Sequence, residues 1–281
     1  MTIERMSAPA ATERVRRLDP GDAAATAAAL DVDVVRNVFL RSELRLGALR
    51  SGAWWGIEHG GTVRSVLASG TLAVPWLGVL DDAAALAAVL DRHRQPQLMT
   101  GPREHVLAVH RAQRSHPRPR EVRDPQPLLV LRRGDLQVAP AVGLRRGTAA
   151  DLDRLTAESA AMHREEMGVD PLAIDPGGWR QRMATLIERG WSYVLEDGGQ
   201  VIFKAELSAW TPEVCMVQGV FTVPQRRRQG IGTAAMAALC RLLLSEVPAC
   251  TLYVNHFNTA ARNLYDRLGF EHVGDFATLF F

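Results

Sequence analysis

The sequence contains few cysteines, and their positions show no metal-binding pattern. Only three occur in 281 residues, without a C-x-x-C pair or a nearby pair of histidines. Zinc sites and disulfide frameworks depend on such spacings, so we expect neither a metal site nor a disulfide framework. The neighbours of Cys215, Cys240 and Cys250 are apolar, which predicts buried, reduced thiols of the kind found in cytosolic proteins.

The sequence also lacks a large net charge and long apolar runs. Its 33 basic and 31 acidic residues leave a formal net charge of +2, which gives no indication of a nucleic-acid-binding protein. No run approaches the roughly 18 apolar residues that cross a bilayer, and the N-terminus lacks the apolar core of a signal peptide. We expect a soluble, cytoplasmic protein without nucleic-acid or membrane partners, and either a monomer or a homodimer.

Helix and strand patterns divide the chain into two halves. Small residues and a proline at 134–142 separate a first domain at 1–135 from a second at 140–281. In the first, "AWWGIEHGGTVRSVLAS" predicts a hairpin, and helices are predicted at 23–46 and in "DDAAALAAVLDRH", with Asp81 or Asp82 as N-cap. "RSHPRPREVRDPQ" predicts an exposed loop before the strand "QPLLVLRR".

The second half predicts the order β-α-α-β-β-β-α-β-α-β. This is an α+β fold with a mixed, mostly antiparallel sheet flanked by helices, and one parallel crossover. Its first helix is expected to begin at Thr148, with Asp151 at the third helical position. A pair of strands from Phe270 is expected to end the chain. The first half, an α/β domain, roughly echoes this order, so it is either a degenerate copy of the same domain or an unrelated one.

The segment "RRRQGIG", residues 226–232, follows an apolar strand and precedes a long apolar helix. With the three residues that follow, its glycines (Gly230 to Ala235) satisfy the loose dinucleotide pattern GxGxxG/A, but polar residues separate them from the strand, and the next strand ends without an acidic residue. A nucleotide-triphosphate loop is excluded because Gly-Lys-Ser/Thr is absent. Unpaired N–H groups at a helix start, with glycines that allow close approach, favour a phosphate-bearing ligand. A tight strand-to-helix turn without a ligand is the alternative.

Two motifs in this half resemble the acetyl-CoA-binding segments of the GNAT superfamily of N-acetyltransferases. The first is Arg227-x-x-Gly230-x-Gly232 after the strand end "GVFTVP", and the second is "NTAARNLYDRLGF". The resemblance covers about residues 140 to 281. The whole chain, with "NVFLRSEL", "WWGIEHGG", "GPREHV" and "PQPLLVL", is similar to the subgroup that carries an N-terminal domain of unknown function.

The resemblance implies an N-acetyltransferase that moves an acetyl group from acetyl-CoA to a primary amine by direct attack on the thioester. The pantetheine arm of the coenzyme pairs like an extra strand with the residues that correspond to Phe221, Thr222 and Val223. Asn258 matches the asparagine near the pantetheine or pyrophosphate, and Tyr265 the tyrosine near the thioester sulfur. The implied pyrophosphate-binding residues are Arg227, Arg228, Gln229, Gly230, Ile231, Gly232 and Thr233.

The expected chemistry needs an oxyanion donor, an acid and a base. A backbone N–H of the strand around Val220 would polarise the thioester carbonyl. Tyr265 would protonate the departing thiolate, unless it is only a packing residue of its helix. A protonated amine needs a general base, and Glu206, an acidic residue in an apolar strand, is the candidate. An ion pair with Lys204 on the same strand face is the alternative.

The acceptor cannot be read from the sequence, and an amine-bearing small molecule or a protein would fit. Glu165, Glu166 and His163 correspond to the region where the superfamily lines its acceptor pocket, and a solvated helix end is their alternative. Two other functions stay open. One is a non-catalytic acetyl-CoA-binding module, and the other is a two-domain transferase of the mycothiol-synthase type with a degenerate first half.

Overall fold

The computed structural model describes residues 13–93 and 95–281 of the chain. These form two compact units: the first ends at Pro125 and also includes Phe276–Phe281, and the second is Gln126–Asp275. The segment 134–142, where the sequence places a domain boundary, lies inside the second unit. In the part of the chain that is described, no helix has the length and apolar character needed to cross a membrane.

The first unit begins with a strand and two helices, and three consecutive strands follow. Its elements are β1 (Glu13–Arg17), α1 (Ala23–Leu30), α2 (Val38–Arg45), β2 (Trp54–His59), β3 (Thr62–Ala68), β4 (Leu72–Trp76), α3 (Ala83–Arg92), β5 (Leu98–Pro102) and α4 (Arg103–Ala112). Strand β6 (Glu121–Arg132) comes next in the chain and ends in the second unit.

The second unit has the element order that its sequence predicts, with one additional short helix. Its further elements are β7 (Arg145–Arg146), α5 (Leu152–Met167), α6 (Pro171–Ile174), α7 (Pro176–Glu188), β8 (Ser192–Asp197), β9 (Gln200–Trp210), β10 (Val214–Thr222), α8 (Ile231–Glu246), β11 (Ala249–Tyr253), α9 (Thr259–Leu268) and β12 (Glu271–Phe280). The predicted α+β class, a mixed and mostly antiparallel sheet flanked by helices, is confirmed.

Both units repeat one strand order. In the first it is β1-β2-β3-β4-β5-β12, and in the second it is β7-β8-β9-β10-β11-β6. In each, the fourth and fifth strands are parallel and the other pairs are antiparallel. The sixth strand of each unit comes from the other half of the sequence, since 276–280 pair with β5 and 128–132 pair with β11.

One ion-pair pattern also occurs in both units. An arginine of the first strand forms a two-pronged pair with an aspartate six residues later and contacts a glutamate that follows a register shift in the second strand. These residues are Arg16, Asp22 and Glu58 in the first unit and Arg145, Asp151 and Glu196 in the second. The shared strand order and ion pairs support the hypothesis that the first unit is a copy of the second.

Three local predictions are wrong. The single helix predicted at 23–46 is two helices, because the chain turns after Leu30, whose carbonyl accepts a hydrogen bond from the buried Asn37 side chain (2.9 Å). The predicted exposed loop ends earlier, because β6 begins at Glu121. The strand pair expected from Phe270 is the single strand β12. The latter two errors involve pairing partners far away in sequence.

The helix start predicted at Thr148 is confirmed. A 3-10 turn, Ala149–Asp151, leads directly into α5, and the Asp151 carboxylate accepts hydrogen bonds from the backbone N–H (2.8 Å) and hydroxyl (2.9 Å) of Thr148. This reciprocal capping satisfies donors that a helix start otherwise leaves unpaired. Further along, the apolar residues of α8 pack on the sheet, which fixes the first turn of α8 at the end of β10. The thiols at 215, 240 and 250 are buried and free, as predicted.

Candidate functional site

Strands β10 and β11 run side by side only at their beginnings. Val214–Met216 pair with Ala249–Thr251, and within the described residues the register does not continue beyond Met216. On its other side β10 stays paired with β9 as far as Thr222. Two parallel strands that separate in this way leave an edge with which an extended ligand can form ladder hydrogen bonds. The predicted pantetheine-binding residues at the end of this edge are Phe221, Thr222 and Val223.

A bulge interrupts β10 beside the open edge. Gln218 opposes Glu206 and Phe221 opposes Lys204, so β10 has one more residue than β9 over this stretch. Gly219 has a φ of 59°, in the left-handed region, and an added Cβ there would lie 3.0 Å from the Glu206 carboxyl group. Both the backbone conformation and the space therefore require glycine at this position.

The loop after β10 presents backbone N–H groups at the start of α8. Ala234 N–H donates to the Gly230 carbonyl (3.0 Å), and in the described chain the N–H groups of residues 228–233 have no acceptor. Gly230 has a φ of 78°, and an added Cβ at Gly232 would lie 2.9 Å from the Thr222 hydroxyl oxygen. The first glycine permits the turn and the second permits close approach of α8 to β10, so the helix start faces the open edge.

Two of the three arginines in the motif already have carboxylate partners. Arg226 donates to Asp197 (2.6 Å). Arg227 donates to both oxygens of Glu165 (2.8 and 2.7 Å) and to the Thr222 carbonyl (2.9 Å). Arg228 is exposed, has a φ of 60°, and has no side-chain partner among the described residues. Of the three, Arg228 is therefore the arginine that a phosphate could engage without breaking an ion pair.

The remaining predicted residues of the motif would contact a ligand through their backbone N–H groups and not through their side chains. The Gln229 side chain accepts from Arg226 (3.3 Å) and donates to the Gln225 carbonyl (3.3 Å), so it braces the loop. Ile231 and Thr233 belong to the first turn of α8 and are half-buried. Their contribution to an anion site would come from their N–H groups and the positive end of the helix.

The two residues taken from the second motif lie on α9. The Asn258 side-chain oxygen accepts from the Ala261 N–H (3.1 Å), so Asn258 caps the helix. Tyr265 is buried, packs against Phe270 with ring centroids 5.5 Å apart, and its hydroxyl has no hydrogen-bond partner among the described residues. Burial raises the pKa of Tyr265, and the nearby Glu166 raises it further. The phenol is therefore protonated throughout the neutral range.

Glu206 is enclosed by cationic groups. Its carboxylate accepts from the Lys204 ammonium group (2.7 Å), the Arg182 guanidinium group (3.1 Å) and the Ser159 hydroxyl (3.4 Å). Burial alone would raise the pKa of Glu206, but Lys204 and Arg182 outweigh it and hold that pKa below its usual range. The ion pair with Lys204, the alternative considered for this residue, is present, and a carboxylate with a lowered pKa is a weak base.

The other predicted acceptor-side residues lie at the end of α5. Glu165 forms the ion pair with Arg227, and Glu166 lies close enough to influence Tyr265. The His163 ring packs at a tilt of 59° against Trp179 of α7, with centroids 5.1 Å apart. The structure therefore brings the end of α5 close to both motifs.

Sequence reasoning did not identify Glu158, which lies on α5. It is half-buried and has no hydrogen bond or ion pair among the described residues. Burial raises its pKa, and the charges of Lys204 and Arg164 offset only part of that effect. Glu158 lies seven positions before Glu165, about two helical turns, so both occupy the same face of α5. That spacing is the signal in the sequence from which Glu158 could have been found.

In the first unit, the region that corresponds to the open edge is closed by the unit's own side chains. The parallel register of β4 and β5 covers only Leu72 and Ala73 with their partners. Beyond it, the Leu77 N–H donates to Nδ1 of the buried His105 (3.2 Å), whose ring also packs edge-on against Trp76. Burial lowers the pKa of His105 to about 4, which keeps the ring neutral and able to accept this bond.

The helix start in the first unit is closed in a similar way. Asp82 precedes α3 and accepts from Arg64 and from the Ser65 hydroxyl instead of capping the helix with its side chain. The Gly78 N–H donates to the Ser65 oxygen (2.8 Å). Asp82 is the N-cap residue of α3, one of the two predicted positions, although its side chain makes no capping hydrogen bond. Asp82 places a carboxylate at the N-cap position, which Gly230 occupies in the second unit, and a negative charge there disfavours a phosphate.

Comparisons with known proteins agree with this arrangement. Residues 52–155 match a family described as a domain of unknown function (DUF4081), and residues 159–270 match the acetyltransferase (GNAT) family. Among curated proteins, none matches this chain.

Solved structures with a similar fold cover nearly all of the chain. A GNAT-family acetyltransferase from Colwellia psychrerythraea is 12% identical, with a TM-score of 0.63 over 95% of this chain and 99% of that chain. A GCN5-related N-acetyltransferase from Sphaerobacter thermophilus is 16% identical, with a TM-score of 0.59 over 95% and 94%. A tandem GNAT protein from the clavulanic acid biosynthesis pathway is 14% identical, with a TM-score of 0.57 over 96% and 98%. At sequence identities this low, the structural similarity shows a shared fold and nothing more.

Proposed function

We propose that this chain, a GNAT-family acetyltransferase with a preceding domain of unknown function, transfers the acetyl group of acetyl-CoA to a primary amine. The observation that carries the proposal is the open edge of β10, which ends at the N-terminus of α8. Pantetheine is an extended chain with amide groups, and it leads to a pyrophosphate. One strand edge followed by one row of free N–H groups matches those two parts in that order.

The coenzyme would bind with its pantetheine amides along residues 217–223 and its pyrophosphate at the N–H groups of residues 228–233. Arg228 would add a cationic donor, and the glycines would allow the phosphates to approach the backbone. The thioester would then lie near the bulge in β10, where the N–H of Val220 would stabilise the negative charge that develops on the carbonyl oxygen.

In the reaction, the amine nitrogen forms a bond to the thioester carbonyl carbon, and the carbon–sulfur bond then breaks. Tyr265 would give its phenolic proton to the departing coenzyme thiolate. Its raised pKa and its hydroxyl without a protein partner support this role, because the proton is present and is not committed elsewhere.

The proton that the amine loses would pass to Glu158. This carboxyl group has a raised pKa and shares the face of α5 that carries Glu165, the partner of Arg227. A base works best when its pKa approaches the working pH. Glu206 has the opposite property, since two cations lower its pKa, so the proposal assigns it no proton transfer.

The function is tested by incubating the protein with acetyl-CoA and a panel of amines and by following the release of free thiol. Turnover of at least one amine is expected, and Tyr265→Phe is expected to lower kcat about 100-fold with little change in acetyl-CoA binding. Tyr193→Phe is the matched control, because that buried phenol interacts with Arg146 at the far end of the sheet. Coenzyme binding without turnover of any amine would contradict the proposal and favour a binding module.

A two-domain transferase of the mycothiol-synthase type is a second candidate. The repeated strand order and the closed first unit favour it, because such an enzyme would have one degenerate half and one active half. Turnover of a cysteinyl amino-sugar, in preference to simple amines, would identify it.

A further inference from the structure

The chain's single lysine, Lys204, lies beneath the bulge in β10. Its side chain has no exposed surface, and that of Glu206 is 1% exposed. Besides Glu206 (2.7 Å), the Lys204 ammonium group donates to the Gly219 carbonyl (3.1 Å). Burying two charges is costly even when they are paired. In this buried pair, one N–H of the Lys204 ammonium group donates to the carbonyl of the bulge residue Gly219 instead of to Glu206. We take this as an indication that the pair has a role beyond stability.

The Gly219 carbonyl and the Val220 N–H belong to the same peptide unit. A trans peptide is planar, and its C=O and N–H point in opposite directions. A donor that fixes the carbonyl on one side therefore fixes the direction of the N–H on the other. Without such a donor, this peptide could rotate, because ψ of Gly219 is unrestricted by a Cβ and the register of β10 has no partner residue for either Gly219 or Val220.

We propose that the Lys204–Glu206 pair is a positioning device: it holds the Gly219 carbonyl and so directs the Val220 N–H at the thioester carbonyl of the bound coenzyme. This inference rests on the proposed function and adds two positioning residues to it. Glu206 orients Lys204, and Arg182 and Ser159 hold Glu206 in turn. The position of Glu206, whose carboxyl group would lie 3.0 Å from a Cβ added at Gly219, also disfavours a side chain at that position.

The test needs no knowledge of the acceptor amine. The probe is acetyl-CoA with ¹³C at the acetyl carbonyl, and isotope-edited infrared spectroscopy measures the carbonyl band of the bound thioester. In the wild-type protein the band is expected at lower wavenumber than in free acetyl-CoA, because a hydrogen bond polarises the carbonyl. In the double variant Lys204→Met/Glu206→Leu, which leaves no unpaired buried charge, the band is expected to return to the position of the free thioester.

Three further measurements separate positioning from general stability. Lys204→Arg keeps a cationic donor and should restore at least part of the band shift. Ser208→Ala is the control, because that hydroxyl contacts a β10 carbonyl outside the bulge, Met216 (3.4 Å), and should leave the band unchanged. With an accepted amine, the double variant should lose about 100-fold in kcat, the effect of removing or misdirecting one oxyanion donor, while KM for acetyl-CoA changes less than about threefold.

The outcomes are distinct. A wild-type band at the free position would contradict the proposed function at this site, whereas a shifted band that persists in the double variant would overturn the positioning role. If the double variant does not fold, as judged by circular dichroism, Lys204→Met alone takes its place, since Glu206 keeps Arg182 as a partner. In that variant too, a band at the wild-type position would overturn the inference.

Discussion

Arg227 and Glu165 form a two-pronged ion pair that joins the loop between β10 and α8 to α5, with distances of 2.8 and 2.7 Å. The pair is partly exposed, 38% for the arginine side chain and 49% for the glutamate. The hydrogen bonds from Arg227 lower the pKa of Glu165, so the pair is intact at neutral pH. An anion that binds at the start of α8 competes with Glu165 for this guanidinium group.

Replacing Glu165 should therefore strengthen coenzyme binding. In Glu165→Gln the guanidinium group of Arg227 becomes available, and because exposed ion pairs contribute about 0.2–1 kcal/mol, the Kd for acetyl-CoA should fall by at most about fivefold. The gain should shrink as salt rises. Calorimetric titration measures both effects. Glu246→Gln is the matched control, since Glu246 forms a comparably exposed pair with Arg146. Weaker binding of acetyl-CoA by Glu165→Gln would contradict the prediction and show that the Arg227–Glu165 pair organises the site.

The proposed base predicts a specific pH dependence. Because the carboxylate form of Glu158 accepts the proton and its pKa is raised, kcat/KM for the amine should increase as pH rises through a pKa above the ordinary glutamate range of about 4.3. Glu158→Gln should lose this acidic limb and about 100-fold in kcat/KM at neutral pH. Asp153→Asn, an exposed carboxylate on the same helix, is the control. A limb unchanged in Glu158→Gln would assign the proton transfer to another group.

The closed first unit predicts one acetyl-CoA per chain. The Leu77 and Gly78 N–H groups are already bonded to His105 and Ser65, so the first unit offers no equivalent site. Gly232→Val should abolish binding altogether, because even a Cβ there lies 2.9 Å from the Thr222 hydroxyl oxygen. Ser65→Ala should leave the stoichiometry at one. Calorimetry that gives two molecules per chain, or one remaining in Gly232→Val, would contradict this assignment.

Local signals in the sequence were sufficient for the element order of the second unit, the cap at Thr148 and the position of the glycine motif. Each depends on residues within one or two turns of each other. The partners of β6 and β12 could not be predicted, because strands distant in sequence pair without a local signal. The closure of the first unit by His105 depends on such long-range packing as well.

Side-chain roles within the site were harder to predict than its position. Glu206 is an acidic residue in an apolar strand, and that pattern suits an active base and a buried ion pair equally well. The distances to Lys204 and Arg182 distinguish the two, because they determine the direction in which the pKa moves. For Glu158 the sequence gives only its spacing from Glu165 on α5, and its burial without a partner, which the structure adds, sets it apart.

Each unit takes its sixth strand from the other half of the sequence, β12 in the first unit and β6 in the second. This arrangement leads to a prediction about fragments of the chain. A fragment of residues 140–281, the second domain as the sequence suggests it, lacks β6, and β11 would then present an unpaired edge. It also loses four side chains that are at most 9% exposed, namely Leu128, Leu129, Val130 and Leu131. At about 1.5–3 kcal/mol each, their burial is comparable to the whole stability of a typical domain, about 5–15 kcal/mol.

We therefore expect the 140–281 fragment to be unfolded or aggregated, and a fragment of residues 121–281, which includes β6, to unfold cooperatively and to bind acetyl-CoA. Thermal unfolding followed by circular dichroism and calorimetric titration compare the two fragments under the same conditions. Adding a synthetic peptide of residues 121–133 to the shorter fragment should restore part of its structure, since the missing element is a single strand. A stable 140–281 fragment that binds acetyl-CoA would show that β6 is not needed to complete the second unit.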